Sequence, residues 1–143
     1  MSGAEKPPPL SREELQRRLA QSAFIDFLNL TVLTADPAEE QVVMRAEMRP
    51  EFERLKGSGQ WHGGPIAAVI DTVGDYALVM LLGRPLPTVN FRVDYLRPAI
   101  GTALVVTAKV RRNGRLVGVV DVDVENEAGQ LVAVGRATYA SAG

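Results

Sequence analysis

The longest predominantly apolar segment of the chain spans residues 65–82, near the middle of the sequence, and is interrupted by Asp71, Thr72 and Asp75. A helical period of about 100° per residue gathers one continuous stripe from this run: Ile66, Ile70, Val73, Ala77 and Met80. The remaining faces are also mostly apolar, so the pattern predicts a helix that is covered on most sides. Gly83, followed by Arg84-Pro85, predicts that the helix ends at residue 82.

The second half of the chain follows a period of two. From Thr88 onward, Val89, Phe91, Val93 and Tyr95 alternate with polar residues, which is typical of a strand. Three further strands are predicted at about 102–111, 115–125 and 130–140. The intervening Asn113-Gly114 and Glu127-Ala128-Gly129 favour hairpin turns, so this half is predicted to be an antiparallel meander.

The first 60 residues give more varied signals. Residues 1–10 are rich in proline and predict a flexible N-terminal arm. Ser11 and Glu14 form a capping box that predicts a helix reaching about residue 28, and strands at 30–33 and 41–48 follow. An irregular linker then leads to Trp61. We therefore predict one α+β domain over residues 11–143, in which a curved antiparallel sheet wraps around the long helix.

Composition narrows the possible functions. The 143 residues carry a formal net charge of -1, which gives no overall attraction for nucleic acid or an anionic membrane. There is no cysteine and only one histidine, so thiolate chemistry, cysteine-ligated zinc and polyhistidine metal sites within one chain are excluded. We expect neither a metal nor a bound cofactor. The N-terminal residues lack the apolar core of a secretory signal, so a cytoplasmic protein is expected.

The start of the long helix carries the first candidate chemistry, His62-Gly63-Gly64-Pro65. The first N–H groups of a helix have no partner inside the helix, and the helix dipole makes this end positive. Gly63 and Gly64 allow a ligand to approach closely, while Pro65 fits the first turn without needing a donor. The motif therefore favours stabilisation of a developing oxyanion, although His62 alone would be typical of a hydrogen-bonded loop residue.

Asp71 supplies the second candidate group. A carboxylate in an apolar helix is unfavourable unless a partner or a ligand satisfies it, and its small neighbours Ala67 and Gly74 leave room for a ligand. Asp71 could act as a general base for water or attack a substrate directly, and the sequence does not separate these roles. A buried, paired acid is the structural alternative. That structural role is the better interpretation of Asp75, one turn later.

These residues, taken in order, resemble the hotdog-fold acyl-CoA thioesterases. They resemble in particular the group that contains the phenylacetyl-CoA-pathway and related 4-hydroxybenzoyl-CoA thioesterases. The resemblance covers about residues 24–140 and rests on four features: His62-Gly63-Gly64, an acid nine positions after the histidine, the strand and its Arg-Pro ending at residues 88–98, and the Asn113-Gly114 hairpin.

The resemblance implies an enzyme that hydrolyses an acyl-CoA thioester to a carboxylic acid and free coenzyme A. Relatives are homodimers or homotetramers with sites at the dimer interface. The Gly63 N–H would bind the thioester carbonyl, His62 would order the turn, and Asp71 would reach the site from the partner's helix. Thr88 stands where relatives have a hydroxyl that positions water, and Lys56 stands where some relatives have Asn or Gln.

Substrate binding is expected to involve Gly64 and several arginines. Arg111, Arg112 and Arg115 surround the Asn113-Gly114 turn, and arginine can clamp the phosphates of coenzyme A. A solvated hairpin tip explains any one of them equally well, and Arg97 has the same standing. Two other functions remain open at this point, a non-catalytic acyl-CoA-binding module and a hotdog enoyl-CoA hydratase or dehydratase. The sequence does not choose between aromatic and aliphatic acyl groups.

Overall fold

Six antiparallel strands form one curved sheet in the computed structural model, which describes residues 5–143. The chain begins with α1 (Arg12–Leu19), α2 (Ala23–Phe27), β1 (Leu30–Asp36), β2 (Gln41–Ala46) and a 3₁₀ turn (Pro50–Phe52), and continues with α3 (Gly63–Leu82), β3 (Thr88–Tyr95), β4 (Leu104–Asn113), β5 (Val117–Asn126) and β6 (Leu131–Ala140). The order of strands in the sheet is β1-β2-β4-β5-β6-β3. The predicted architecture, a curved sheet wrapped around one long helix, is confirmed.

Helix α3 forms the centre of the core. Its apolar side chains pack against five of the strands, and Val69, Ile70 and Val73 are fully buried. Although α3 has the length and the mean hydropathy of 1.6 that a membrane span requires, most of it is covered by the sheet. It begins two residues before the predicted start, because the His62 side chain caps its first turn. It ends as predicted at Gly83, where φ is 74° and the N–H donates to the Val79 carbonyl at 2.8 Å.

Strand β3 lies at one edge of the sheet, paired only with β6 among the described strands. A register shift between Thr88 and Asn90 interrupts the pairing. The period of two placed Thr88 on the same face as Asn90, but this bulge turns Thr88 toward α3. The strand also leaves apolar side chains in contact with solvent, since Val89 is 58% exposed and Phe91 is 39% exposed.

The predicted single helix from residue 11 to about residue 28 is wrong. Two short helices, α1 and α2, occupy this stretch, and Ser22 begins the second by accepting the Ile25 N–H at 3.3 Å. The capping box at Ser11 is present, because its hydroxyl accepts the Glu14 N–H at 3.2 Å. A second cap inside an apolar-periodic stretch allows the chain to bend, and this bend directs it into β1.

The remaining sequence predictions differ from the structure by small amounts. Strands β4 to β6 begin one or two residues later than predicted. Strand β4 has the predicted length but ends two residues later, at Asn113, and a bulge between Val110 and Arg112 precedes the β4–β5 turn. Residues 1–4 of the predicted N-terminal arm lie outside the described residues. At the end of that arm, the Leu10 N–H donates to the Met80 carbonyl at 2.8 Å.

Candidate active site

The start of α3 presents a free backbone donor, the Gly63 N–H. His62 is the cap residue, and its Nδ1 accepts the Gly64 N–H at 2.9 Å, so the other ring nitrogen, Nε2, carries the proton when the ring is neutral. Pro65 has no N–H to offer. Within residues 5–143, the Gly63 N–H has no hydrogen-bond partner. The histidine therefore orders the turn and uses the Gly64 donor, which leaves Gly63 to bind a substrate oxygen.

Tyr95 fixes the other side of this turn. Its hydroxyl donates to the Gly63 carbonyl oxygen at 2.6 Å, and burial raises the pKa of the phenol, which keeps it protonated as a donor. A side chain at position 63 would crowd Tyr95, because a Cβ there would lie 3.1 Å from the tyrosine ring. Strand β3 therefore holds the α3 N-terminus through a side-chain bond to a backbone carbonyl.

Asp71 is paired with Thr88. The Thr88 hydroxyl donates to Asp71 Oδ1 at 2.8 Å, which joins the middle of α3 to the start of β3. Both residues remain accessible to solvent, Asp71 in part and Thr88 more fully. A hydroxyl bond to one carboxylate oxygen fixes the rotation of the group and leaves Oδ2 to accept a proton.

The Gly63 donor and the Asp71 carboxylate of one chain are too far apart to act on one carbonyl. Asp71 lies eight residues after Gly63 in α3. A rise of about 1.5 Å per residue separates their backbones by about 12 Å, whereas the donor and the attacking group must both lie within about 3–4 Å of the reacting atoms. If these two groups cooperate, each site combines Gly63 of one chain with Asp71 of another.

Two clefts flank the start of α3. One, of about 500 Å³, is lined by Gly63, Trp61 and Ile66 and by two arginines, Arg54 and Arg97. We call it the Gly63 cleft. Neither arginine forms an ion pair with any described residue. Arg97, one of the predicted substrate-binding residues, therefore lies near Gly63. Arg54 is a second free cation in this cleft, and the sequence reasoning missed it.

The second cleft, of about 300 Å³, is mostly apolar. Its wall includes Phe24, Phe27, Phe52, Pro65 and Ala68. Phe52 also stacks on Trp61, with ring centroids 5.5 Å apart. We call it the aromatic cleft. It meets the first turn of α3 at Gly64, so an apolar group could lie beside the Gly63 donor.

The three arginines of the β4–β5 turn lie elsewhere. Arg115 lines a surface cleft with Leu82, at the C-terminal end of α3, which places it about 28 Å along the helix from Gly63. Arg111 faces Asp121 at 3.5 Å, and Arg112 is exposed. Within one chain, the fold does not bring Arg111, Arg112 or Arg115 together with the motif at the α3 N-terminus.

Asp75 is a partly buried acid one turn after Asp71, and its Oδ1 is fully buried. Its Oδ1 has no hydrogen-bond partner among the described residues. Burial raises the pKa of Asp75 to about 7; the Leu86 N–H opposes this rise and the charge of Asp71 adds to it. Because the charged form of Asp75 is unfavourable in the fold, its ionisation at alkaline pH lowers the free energy of unfolding.

Replacing Asp75 by asparagine should change how stability depends on pH. The folded protein holds a proton at Asp75 that the unfolded chain releases near pH 4, so stability falls as pH rises from about 4 to 7. Asp75→Asn should raise the free energy of unfolding by about 2–3 kcal/mol more at pH 8.5 than at pH 5, a difference equivalent to roughly 5–10 °C in Tm. Thermal denaturation at both pH values measures this difference. The exposed Asp123→Asn is the control, and the same difference in Tm between wild type and Asp75→Asn at both pH values would contradict the assignment.

Three residues of the site were missed by the sequence reasoning. Tyr95 and Tyr139 each donate a hydrogen bond to a backbone carbonyl of α3, of Gly63 and Asp71 respectively, and Arg54 lines the Gly63 cleft. Both tyrosines lie at strand positions where the alternation predicts an apolar residue, so no local pattern marks them as part of the site. Arg54 lies in the irregular linker, where only the folded path of the chain shows what it faces.

Comparisons with known proteins identify the family. The signature of the Thioesterase superfamily matches residues 58–133, which is more than half of the chain. Human acyl-coenzyme A thioesterase 13 is 33% identical over 112 residues, which cover 76% of this chain and 77% of the relative.

Solved structures give the same result. Zebra fish thioesterase superfamily member 2 superposes with a TM-score of 0.78 and 29% identity, covering 92% of this chain and 98% of the relative. The Escherichia coli PaaI protein from the phenylacetic acid degradation operon superposes with a TM-score of 0.75 and 26% identity, covering 93% and 97%. The resemblance inferred from the ordered set of motifs is confirmed. The chain belongs to the thioesterase superfamily and has its hotdog fold.

Proposed function

We propose that this protein hydrolyses acyl-CoA thioesters to a carboxylic acid and free coenzyme A. The observation that carries the proposal is the unpaired Gly63 N–H at the positive end of α3, on a turn fixed by His62 and Tyr95. A thioester carbonyl develops negative charge as it is attacked, and a fixed donor at that oxygen stabilises the transition state. The name of the human relative, an acyl-coenzyme A thioesterase, supports this choice of substrate.

Asp71 supplies the second half of the chemistry. As a general base, its Oδ2 takes a proton from water while the water oxygen attacks the carbonyl carbon, and the carbonyl electrons move onto the oxygen held by Gly63. Collapse of this intermediate expels the coenzyme A thiolate, which is then protonated. As a nucleophile, Asp71 would instead form an anhydride that water hydrolyses. The Thr88 bond to Oδ1 favours the first role, because it holds the carboxylate with one oxygen free for water.

The working unit is proposed to be a homodimer, or a homotetramer assembled from dimers. Two observations support it. The 12 Å separation along α3 requires Gly63 and Asp71 to come from different chains if they act together. The β3 edge and the segment after it also expose apolar side chains, with Val89 and Ile100 each 58% exposed and Leu96 53% exposed. An edge strand with an exposed apolar surface is suited to pairing with a second copy.

The two clefts suggest how the substrate is held. The aromatic cleft suits a hydrocarbon acyl group better than a polar one, because its wall is almost entirely apolar. Arg54 and Arg97 offer cations at the Gly63 cleft for the anionic end of coenzyme A, and the arginines of the β4–β5 turn can contribute only from another chain. We propose a cytoplasmic location, which is consistent with a chain that has no cysteine.

Release of free thiol from a panel of short, long and aryl acyl-CoAs tests the function. Steady turnover of at least one thioester is the expected result. Addition of water to an enoyl-CoA without thiol release would instead identify a hydratase. Binding of acyl-CoA without turnover of any panel member would identify a binding module, and either result would overturn the proposal.

A further inference from the structure

Tyr139 inserts a hydroxyl into α3 beside Asp71. This tyrosine lies in β6 and is fully buried, at 0% exposure. Its hydroxyl donates to the Asp71 carbonyl oxygen at 2.6 Å. That carbonyl belongs to the same turn of α3 as the Asp71 side chain. The tyrosine therefore acts on the turn of α3 that carries Asp71.

Gly74 makes room for this hydroxyl. A Cβ at position 74 would lie 2.4 Å from the Tyr139 oxygen, closer than any side chain tolerates. Its next contacts would be ordinary ones, at 3.4 Å from the Tyr139 Cζ and from Val122. Glycine in the middle of a helix reduces stability by about 0.5–1 kcal/mol relative to alanine. The close approach of Tyr139 accounts for a glycine at this position.

The same tyrosine is also tied to Thr88. Tyr139 and Thr88 are direct cross-strand partners in the β3–β6 ladder. The Thr88 hydroxyl in turn holds Asp71 Oδ1 at 2.8 Å. A closed ring results, from the Asp71 side chain to Thr88, across the ladder to Tyr139, and back to the Asp71 main chain. The side chain and the backbone carbonyl of Asp71 are therefore both bonded to side chains of the paired strands β3 and β6.

We propose that Tyr139 is a positioning residue for Asp71, an inference that rests on the proposed function. It touches neither the substrate nor the reacting atoms. It fixes the height and rotation of the Asp71 backbone relative to β3, so that the carboxylate meets Thr88 and the reacting water in one geometry. Small errors in such geometry reduce kcat more than they reduce binding.

The protonation state of Tyr139 suits this role. Burial raises the pKa of the phenol, and the negative charges of Asp71 and Asp75 raise it further. The hydroxyl consequently remains protonated, and remains a donor to the Asp71 carbonyl, throughout the pH range in which a thioesterase is assayed.

Tyr139→Phe keeps the buried ring and removes only the hydroxyl. With an acyl-CoA that the wild type hydrolyses, we expect kcat to fall about tenfold with little change in KM. Tyr76→Phe removes the hydroxyl of a buried tyrosine in α3 and should leave kcat and KM as in wild type.

A second variant separates positioning from stability. In Gly74→Ala/Tyr139→Phe, the new methyl group occupies the space that the hydroxyl leaves, and alanine also favours the helix. This double variant should recover the Tm of wild type but keep the low kcat of Tyr139→Phe.

Two results would overturn the inference while leaving the proposed function intact. One is a wild-type kcat in Tyr139→Phe, and the other is recovery of kcat together with Tm in the double variant, which would show a role in stability alone. Absence of thiol release from the wild type would instead overturn the proposed function, and the positioning role would fall with it.

A double-mutant cycle of Thr88→Ala and Tyr139→Phe adds a further check, since residues of one bonded ring should give non-additive losses of kcat.

Discussion

Asp71→Asn should lower kcat for acyl-CoA hydrolysis by about a thousandfold or more, whichever of its two roles Asp71 has. Asparagine is nearly the same size and can keep a bond to Thr88, so the fold and the oligomeric state should not change. It cannot take a proton from water or attack a carbonyl as a carboxylate does. Free-thiol release, measured beside circular dichroism and size-exclusion chromatography, gives the result.

Asp75→Asn is the matched control for this change. It alters another acid of the same helix, one turn further along, and Asp75 has no bond to Thr88 among the described contacts. It should keep most of the wild-type rate. Hydrolysis by Asp71→Asn at the wild-type rate would contradict the assignment of Asp71, and equal losses in both variants would show that any change in this part of α3 disturbs the site.

Gly63→Pro should reduce kcat by about a hundredfold to a thousandfold, because proline removes the N–H that we propose as the donor to the thioester oxygen. The backbone accepts this change. Gly63 is the first residue of α3, where proline is well tolerated, and His62 has φ of -68° and ψ of 146°, the extended conformation that a residue before proline prefers. The loss should appear in kcat rather than in Tm, as measured by steady-state kinetics and thermal denaturation.

Gly63→Ala separates the donor from the added bulk. Alanine brings the same Cβ toward the Tyr95 ring, to 3.1 Å before any adjustment, but retains the N–H. Its loss in kcat should be only a few-fold, about tenfold at most. If alanine and proline reduce kcat equally, crowding of Tyr95 explains both, and the Gly63 N–H is not the oxyanion donor.

Local signals explain why the centre of the molecule could be predicted from the sequence. The span of α3 follows from its own composition and from the stop at Gly83, and strand alternation with turn residues gives the meander. The donor at the α3 N-terminus could be predicted for the same reason, since a cap, two glycines and a proline are adjacent in the chain. The bond by which the His62 side chain caps that turn is also local, because it joins residues only two positions apart.

Features that depend on distant parts of the chain could not be predicted in this way. The bulge that turns Thr88 toward Asp71 breaks the period of two, and no single residue type signals it. Tyr139 meets Asp71 across 68 positions of sequence, and its alternation explains it as an ordinary core residue. The break between α1 and α2 arises because Ser22 caps a second helix within a stretch whose apolar periodicity predicts a single helix.

Mixing two inactive variants tests most directly whether each site joins Gly63 of one chain to Asp71 of another. Asp71→Asn and Gly63→Pro proteins are unfolded together, refolded as a mixture, and assayed for thiol release beside each variant treated alone. In a mixed dimer, one site carries both changes and the other carries neither, so random pairing should restore about a quarter of the wild-type rate. A mixture no more active than the two variants alone, with mixed dimers shown to form by mass spectrometry, would contradict a shared site.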